Sequence, residues 1–168
     1  PLVYCWRGGQ RSDAMAKIFS DIGWHSAVIE GGYKSYRKAV LDDLDHLPAK
    51  FRLIVLSGPT GTAKTHILRS AAENGLQVLD LEGLANHRGS LLGREPGSPQ
   101  PAQRLFESRL CAALQNFSTD RPIFIEAESN KIGQIHVPSA LWASMRQASR
   151  VNLTAPIDAR ITFLQRDY

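Results

Sequence analysis

The sequence has few cysteines, no metal-binding histidine pattern and no long apolar run. Its 168 residues contain two cysteines, Cys5 and Cys111, and no C-x-x-C pair, which excludes a disulfide framework and a cysteine-based zinc site. The five histidines are scattered without the spacing of metal ligands, so no metal centre is predicted from them. No apolar segment approaches the roughly 20 residues that cross a bilayer. These absences favour a reduced, cytoplasmic setting without a membrane partner.

The composition is that of an ordinary globular protein. Hydrophobic residues make up 43% of the chain and charged residues 21%, so the chain can bury a core without disulfide bonds or metal ions. Lys and Arg outnumber Asp and Glu by 20 to 16. Such an excess permits contact with nucleic acid but does not demonstrate it.

Apolar segments and turn signals predict two successive parallel α/β units. The linker is expected at 46–50, and because the chain opens directly in a strand we expect a fragment of a longer protein. The first helix is expected to be capped by Ser12 or Asp13 and to end at Gly23. The predicted strands are 2–4, 26–29, 51–57, 76–81, 122–127 and 150–155. After the first helix, the predicted helices are 33–44, 64–74, 102–117 and 141–149. A loop is predicted at 89–101.

Residues 58–65, GPTGTAKT, lie between a predicted strand and a predicted helix, and we call them the glycine loop. This setting is typical of a Walker A phosphate-binding motif, in which backbone N–H groups surround phosphate oxygens. Lys64 would reach the terminal phosphates, and Thr65 would offer its hydroxyl to Mg²⁺. Ala63 stands where the motif has glycine, and the alternative is a turn that binds nothing. The residues of the loop are Gly58, Pro59, Thr60, Gly61, Thr62, Ala63, Lys64 and Thr65.

A phosphate loop needs a carboxylate at the end of a neighbouring strand. PIFIEAES supplies Glu126 at the end of a predicted strand and Glu128 just after it. A carboxylate that merely ends a strand is the competing interpretation. No guanine-reading pattern is present, so the phosphate ligand is not restricted to a nucleotide.

Residues 5–12, CWRGGQRS, form a second anion-binding pattern, and we call them the cysteine loop. Cys5 follows a strand and precedes a helix, and five residues separate it from Arg11. Backbone N–H groups and arginines would hold an anion there and favour the thiolate. Cys111 has helical spacing with neighbouring leucines and is predicted to pack in the core. The anion-binding residues predicted beside Cys5 are Arg7, Gly8, Gly9, Gln10, Arg11 and Ser12.

Taken together, these segments resemble the tRNA 2-selenouridine synthase family. CWRGGQRS with the downstream GGYKSYR is similar to the C-terminal part of a rhodanese domain, and a phosphate loop follows it. The segments at 84–93, 99–107, 124–133 and 155–168 are similar to that family as well. The resemblance implies a truncated rhodanese-like parallel α/β domain over 1–47. It further implies a P-loop NTPase-like α/β domain over 51–168, truncated at its C-terminus.

The resemblance implies a transferase acting on tRNA that carries 2-thiouridine at the wobble position. Cys5 would be the catalytic cysteine that takes selenium from selenophosphate, which a separate enzyme supplies. The glycine loop would hold geranyl diphosphate or a nucleotide, and the sulfur would be geranylated before selenium replaces it. Arg88 and Ser90 would contact phosphate or tRNA, with a solvated loop as the alternative.

Three other functions stay open from the sequence. A rhodanese-type sulfurtransferase would use the same cysteine. A phosphatase with the C-x5-R pattern would need an aspartate as general acid, and Asp13 is the nearest one. A non-catalytic P-loop module would change conformation with a nucleotide.

Overall fold

The chain divides into two compact units, Pro1–Asp43 and Leu44–Tyr168. The computed structural model describes residues 1–6, 9–87 and 99–167, without the side chain of Asp167. The predicted domain limits, 1–47 and 51–168, stay predictions.

The first unit is a strand–helix–strand–helix succession. β1 pairs in parallel with β2, with Leu2 opposite Ala27 and Val3 opposite Val28. Parallel pairing requires a crossover connection, and α1 supplies it. The elements are β1 (Leu2–Val3), α1 (Gln10–Asp21), β2 (Ala27–Val28) and α2 (Gly32–His46).

Helix α1 begins earlier than predicted. Its N-cap is Gly9, in a left-handed conformation with φ 84°, so the expected cap at Ser12 or Asp13 is wrong. The Asp13 N–H donates to the Gly9 carbonyl at 2.8 Å, and the Ser12 hydroxyl donates to the same carbonyl at 2.8 Å. Glycine adopts φ > 0 without steric cost, so the turn can start the helix three residues ahead of the expected cap. The predicted end is confirmed, since Gly23 follows the helix with φ 86°.

The second unit contains the larger sheet. Its elements are a 3₁₀ turn (Pro48–Lys50), β3 (Leu53–Ser57), α3 (Lys64–Glu73), β4 (Gln77–Leu79), α4 (Leu81–Ala85), α5 (Gln103–Gln115), β5 (Ile123–Glu126), β6 (Lys131–Ile132), β7 (Ile135–His136), α6 (Ser139–Gln147), β8 (Ser149–Asn152) and α7 (Ile157–Asp167). No helix in the described part of the chain is long and apolar enough to cross a membrane.

Four parallel strands form this sheet in the order β4-β5-β3-β8. The parallel α/β class predicted from the sequence is confirmed. β3 and β5 are central, and Val55 and Ile125 are almost completely buried. Near-continuous apolar runs are expected in strands covered on both faces.

Helix α5 contributes much of the core beside the sheet. Phe106, Leu110 and Leu114 are fully buried, and Cys111 is 3% exposed. The predicted packing role of Cys111 is therefore confirmed. Burial of each large apolar side chain in this way stabilises the folded state by roughly 1.5–3 kcal/mol relative to leaving it exposed.

Two local elements differ from the prediction. The strand expected at 76–81 ends at Leu79 because the Asp80 carboxylate accepts from the Gly83 N–H at 2.8 Å and caps α4. The sequence analysis also missed the antiparallel pair β6–β7, in which Ile132 lies opposite Ile135. Gly133, with φ 58°, allows the tight turn between these two strands.

The backbone of Ala63 generates a stability prediction. Ala63 adopts φ 60° and ψ 29°, a left-handed conformation that costs an L-residue about 1–2 kcal/mol. We expect Ala63→Gly to raise the free energy of unfolding by up to about 1 kcal/mol, after the greater entropy of glycine in the unfolded chain is subtracted. Urea denaturation measures this change.

Ala112 provides the matched control, because it is exposed in the interior of α5. Ala112→Gly should lower the free energy of unfolding by about 0.5–1 kcal/mol. An equal loss in both variants would show that the left-handed backbone at Ala63 carries no strain.

Candidate active site

The glycine loop joins the end of β3 to the start of α3. No side chain caps α3, and its first turn has no acidic residue, so its N-terminal N–H groups remain available to an anion. The Lys64 ammonium lies back over the loop and donates to the carbonyls of Gly58 at 2.9 Å and Pro59 at 3.3 Å. Because these partners are uncharged, a phosphate would be a stronger partner for the ammonium.

Helix α7 packs against the backbone of the glycine loop. The Arg160 guanidinium donates from Nε to the Thr60 carbonyl at 2.8 Å. Gly61 has φ 84°, and a Cβ there would lie 2.9 Å from the Arg160 carbonyl. Only glycine permits both this backbone conformation and this close approach.

A cluster of three carboxylates lies beside the start of α3. The carboxylate oxygens of Glu82, Glu126 and Glu128 lie within 4.8 Å of one another. The Thr65 hydroxyl donates to Glu126 Oε1 at 2.8 Å, and Glu82 Oε2 lies 3.4 Å from the same hydroxyl. Strand β5 places Glu126 and the following residues, and α4 places Glu82. We call this group the carboxylate cluster.

Glu126 is the buried member of the carboxylate cluster. Its side chain is 2% exposed, and Oε2 has no hydrogen-bond partner among the described residues. A buried carboxylate oxygen without a partner is costly. A donor group or a cation beside Glu126 would satisfy this oxygen.

Burial raises the pKa values of all three carboxyls, and neighbouring negative charges add to the shift. Burial, followed by the negative charges of Glu126 and Glu128, raises the pKa of Glu82 from 4.5 to about 8. Burial also raises the pKa of Glu126, although the hydrogen bond from Thr65 and the charge of Lys64 oppose the shift. The pKa of Glu128 is raised by burial and by the charge of Glu126. Three adjacent carboxylates thus cannot all ionise easily unless a cation joins them.

The glycine loop and the carboxylate cluster open into one cavity of about 620 Å³. Phe163 and Leu164 of α7 add an apolar wall to this otherwise polar cavity. The rings of His66 and Phe163 are nearly perpendicular, with centroids 5.2 Å apart. The cavity can therefore accommodate a ligand with an anionic end and an apolar part.

The predicted residues have different positions in this site. The cavity is lined by Gly58, Thr60, Gly61, Ala63, Lys64, Thr65, Glu126 and Glu128. Pro59 contributes its carbonyl to Lys64, and the Thr62 hydroxyl donates to that carbonyl at 2.8 Å. Arg88 and Ser90 lie outside the described residues.

Sequence reasoning missed Glu82, which the structure adds to the carboxylate cluster. The predicted strand 76–81 includes Asp80, whereas in the structure Asp80 caps α4, the helix that carries Glu82. An aspartate directly after an apolar strand is a helix N-cap candidate, and this signal could have indicated α4. His66 and His87, to which no role was assigned, also line the cavity.

The cysteine loop is placed in the first unit between β1 and α1. Cys5 is partly exposed, and the Ser12 hydroxyl lies 3.5 Å from its sulfur. Gly9 starts α1 without a side-chain cap, and Gln10 and Arg11 follow on its exposed first turn. Arg7 and Gly8 lie outside the described residues, so the anion-binding role of this loop stays a prediction.

Helix α2 fastens the backbone of Cys5 from the other side. The Tyr33 N–H donates to the Cys5 carbonyl at 2.9 Å. A Cβ at Gly32 would lie 2.2 Å from that carbonyl. Gly32 is therefore required for the contact between α2 and the cysteine.

Comparisons with known proteins agree with the resemblance seen in the sequence. Residues 51–168 match the family model described as the tRNA 2-selenouridine synthase AAA domain. Relatives named tRNA 2-selenouridine synthase include those of Shewanella frigidimarina and Alcanivorax borkumensis, which are 36% and 37% identical over 99% of this chain. The chain spans 44% and 45% of the lengths of these relatives.

Among solved structures, AMPPCP-bound DnaA from Aquifex aeolicus is 16% identical, with a TM-score of 0.37 over 83% of this chain and 51% of the other. The family rests on the sequence match, which covers the second unit from Phe51, directly after the 3₁₀ turn, to the end of the chain. The chain belongs to the tRNA 2-selenouridine synthase family.

Proposed function

We propose that this chain carries two reactive centres of an enzyme that replaces the sulfur of 2-thiouridine in tRNA with selenium. The relatives' name gives the product, 2-selenouridine in tRNA, and the exchange of sulfur for selenium is part of the proposal. The observation that carries the proposal is the uncapped start of α3, where Lys64 faces the glycine loop beside buried carboxylates. This arrangement suits a diphosphate group better than a single carboxylate or a neutral ligand.

In the first step, the glycine loop holds geranyl diphosphate. The α3 N–H groups and Lys64 bind the diphosphate, and Phe163 and Leu164 face the apolar chain. The thiocarbonyl sulfur of the tRNA base attacks the first carbon of the geranyl group, and diphosphate leaves. Lys64 stabilises the negative charge that develops on the leaving group.

In the second step, selenium enters at the cysteine loop. Selenophosphate, supplied by a separate enzyme, is a compact anion that suits the N-terminus of α1. The Cys5 thiolate displaces the geranylthio group from the base, the selenium of selenophosphate then displaces Cys5, and water removes the phosphate from the selenium. Cys5 is the catalytic thiol of this step, and the Ser12 hydroxyl lies 3.5 Å from its sulfur.

A divalent cation fits the carboxylate cluster. Oxygen donors suit Mg²⁺, and the orphaned Glu126 Oε2 needs a partner. Thr65 and Glu126 would hold the ion, with Glu82 and Glu128 beside them. The ion would neutralise charge on the diphosphate.

The identity of the ligand at the glycine loop is tested by calorimetry with geranyl diphosphate and ATP. We expect geranyl diphosphate to bind more tightly than ATP, because the cavity offers an apolar wall. Lys64→Gln should weaken binding roughly 10- to 150-fold, since it removes a charged hydrogen bond. Lys50→Gln, an exposed lysine in the 3₁₀ turn, is the control and should leave binding unchanged. Tighter binding of ATP would favour the nucleotide-dependent module instead.

The role of Cys5 is tested by mass spectrometry of 2-thiouridine tRNA after reaction with geranyl diphosphate and selenophosphate. We expect Cys5→Ser to accumulate the geranylated base without selenouridine, because only the second step uses the thiol. Cys111→Ala removes the other, buried thiol and should still form selenouridine. Selenouridine at the wild-type level in Cys5→Ser would overturn the role given to Cys5.

The pH dependence of stability tests the cation. Because the folded-state pKa of Glu82 is raised to about 8, its contribution to stability is complete below about pH 4.5 and is lost as the pH rises towards 8. In EDTA, we expect the melting temperature to fall over this range. Mg²⁺ or Mn²⁺ should raise it more at pH 8 than at pH 6.

Glu82→Gln should flatten the pH dependence and reduce the effect of the metal. Glu73→Gln, at the exposed end of α3, is the matched control and should behave like the wild type. A metal effect that is equal at both pH values would argue against the cation at this cluster.

A further inference from the structure

Three aromatic side chains near Cys5 in the first unit contact one another in a row. The rings of Trp6 and Tyr33 lie 4.8 Å apart and nearly parallel, with an interplanar angle of 13°. Tyr36 continues the row, with its ring 5.9 Å from that of Tyr33. Trp6 is 54% exposed and Tyr36 41% exposed. We call Trp6, Tyr33 and Tyr36 the aromatic platform.

The aromatic platform is tied to the backbone of Cys5. Trp6 directly follows Cys5 in the chain, and the Tyr33 N–H donates to the Cys5 carbonyl at 2.9 Å. Gly32 brings the start of α2 into contact with the same carbonyl. The platform and the residue that bears the thiol are therefore joined at the backbone.

Positive charge accompanies the aromatic platform on α2. Lys34, Arg37 and Lys38 lie in the first half of this helix, interleaved with the tyrosines. Within the described chain, neither the Lys34 nor the Lys38 ammonium makes an ion pair or hydrogen bond. The aspartates of the helix lie in its C-terminal half.

This charge distribution opposes the helix dipole. The positive N-terminal end of a helix disfavours cations in its first turn, and Lys34 lies there with no acidic residue beside it. An anionic ligand bound here would explain the placement of this cation.

We propose that the aromatic platform stacks unpaired bases of the tRNA anticodon loop and holds the wobble base next to Cys5. The inference rests on the proposed function, because it takes tRNA as the substrate. Every nucleobase offers a flat face, and stacking on aromatic side chains is the usual way that proteins hold unpaired bases. Lys34 and Lys38 bind the phosphates of the same loop.

The test measures the affinity of the complete chain for an RNA hairpin with 2-thiouridine at the wobble position of its loop. Trp6→Ala should weaken binding roughly 5- to 150-fold, the range measured for the loss of one stacked base. Trp6→Phe, which keeps a flat ring, should restore most of the affinity. A fully paired RNA duplex should bind more weakly than the hairpin and should not respond to Trp6→Ala.

Trp24 provides the matched control in the same unit. It is 56% exposed, and its ring stacks on Phe19 at 5.5 Å, so Trp24→Ala removes a similar ring away from Cys5. This variant should bind the hairpin like the wild type. Equal affinities of Trp6→Ala and Trp24→Ala would overturn the aromatic platform while leaving tRNA as the substrate.

The lysines are tested by the salt dependence of hairpin binding. Lys34→Gln should reduce the slope of log affinity against log salt by about 0.7, the value for one phosphate contact on a single strand. Lys17→Gln, an exposed lysine of α1, should leave the slope unchanged. A wild-type chain that binds neither hairpin nor duplex would overturn the proposed function together with this inference. If a protein partner displaces the hairpin from the wild-type chain but does not bind Trp6→Ala, the aromatic platform is the binding surface for that protein instead.

Discussion

The parallel pairing of β3 with β5 determines the geometry of the site in the second unit. Leu56 lies opposite Glu126, and the Ala127 N–H donates to the Leu56 carbonyl at 2.9 Å. Both strands therefore end at the same edge of the sheet, where ligands bind in open parallel sheets. A slip of one residue would turn Glu126 to the opposite face and away from Thr65.

Several local features at this edge are unfavourable for stability alone. Ala63 is held in a left-handed conformation, α3 starts without a side-chain cap, and Glu126 is buried with an unpartnered oxygen. Strained or unsatisfied groups concentrate at functional sites, where the surrounding fold holds them in place. Their occurrence together in one cavity is better explained by ligand binding than by three independent defects. In the first unit, the cation of Lys34 in the first turn of α2 is likewise unfavourable for stability alone.

The predicted helices and strands agree with the structure where an apolar run or a helical spacing of apolar residues marks the element. β3, β5, α3 and α5 agree with the prediction within a few residues, because apolar runs and helical periodicity report burial directly. The errors occurred where one residue changes the backbone direction. Gly9 starts α1 earlier than expected, and Asp80 ends a predicted strand.

For the candidate site, the sequence by itself determined which candidate groups each loop carries: the thiol of Cys5, the lysine and hydroxyl of the glycine loop, and Glu126 at the end of an apolar strand. Each of these groups lies in a short sequence pattern whose residues are close together in the chain, so the pattern alone can place them in one loop or at one strand end. The tertiary structure alone decided that Glu82 joins Glu126, that α7 supplies an apolar wall, and that Trp6 stacks on Tyr33. Each of these contacts joins residues far apart in the chain, and their proximity depends on strand order and helix packing, which no local pattern encodes.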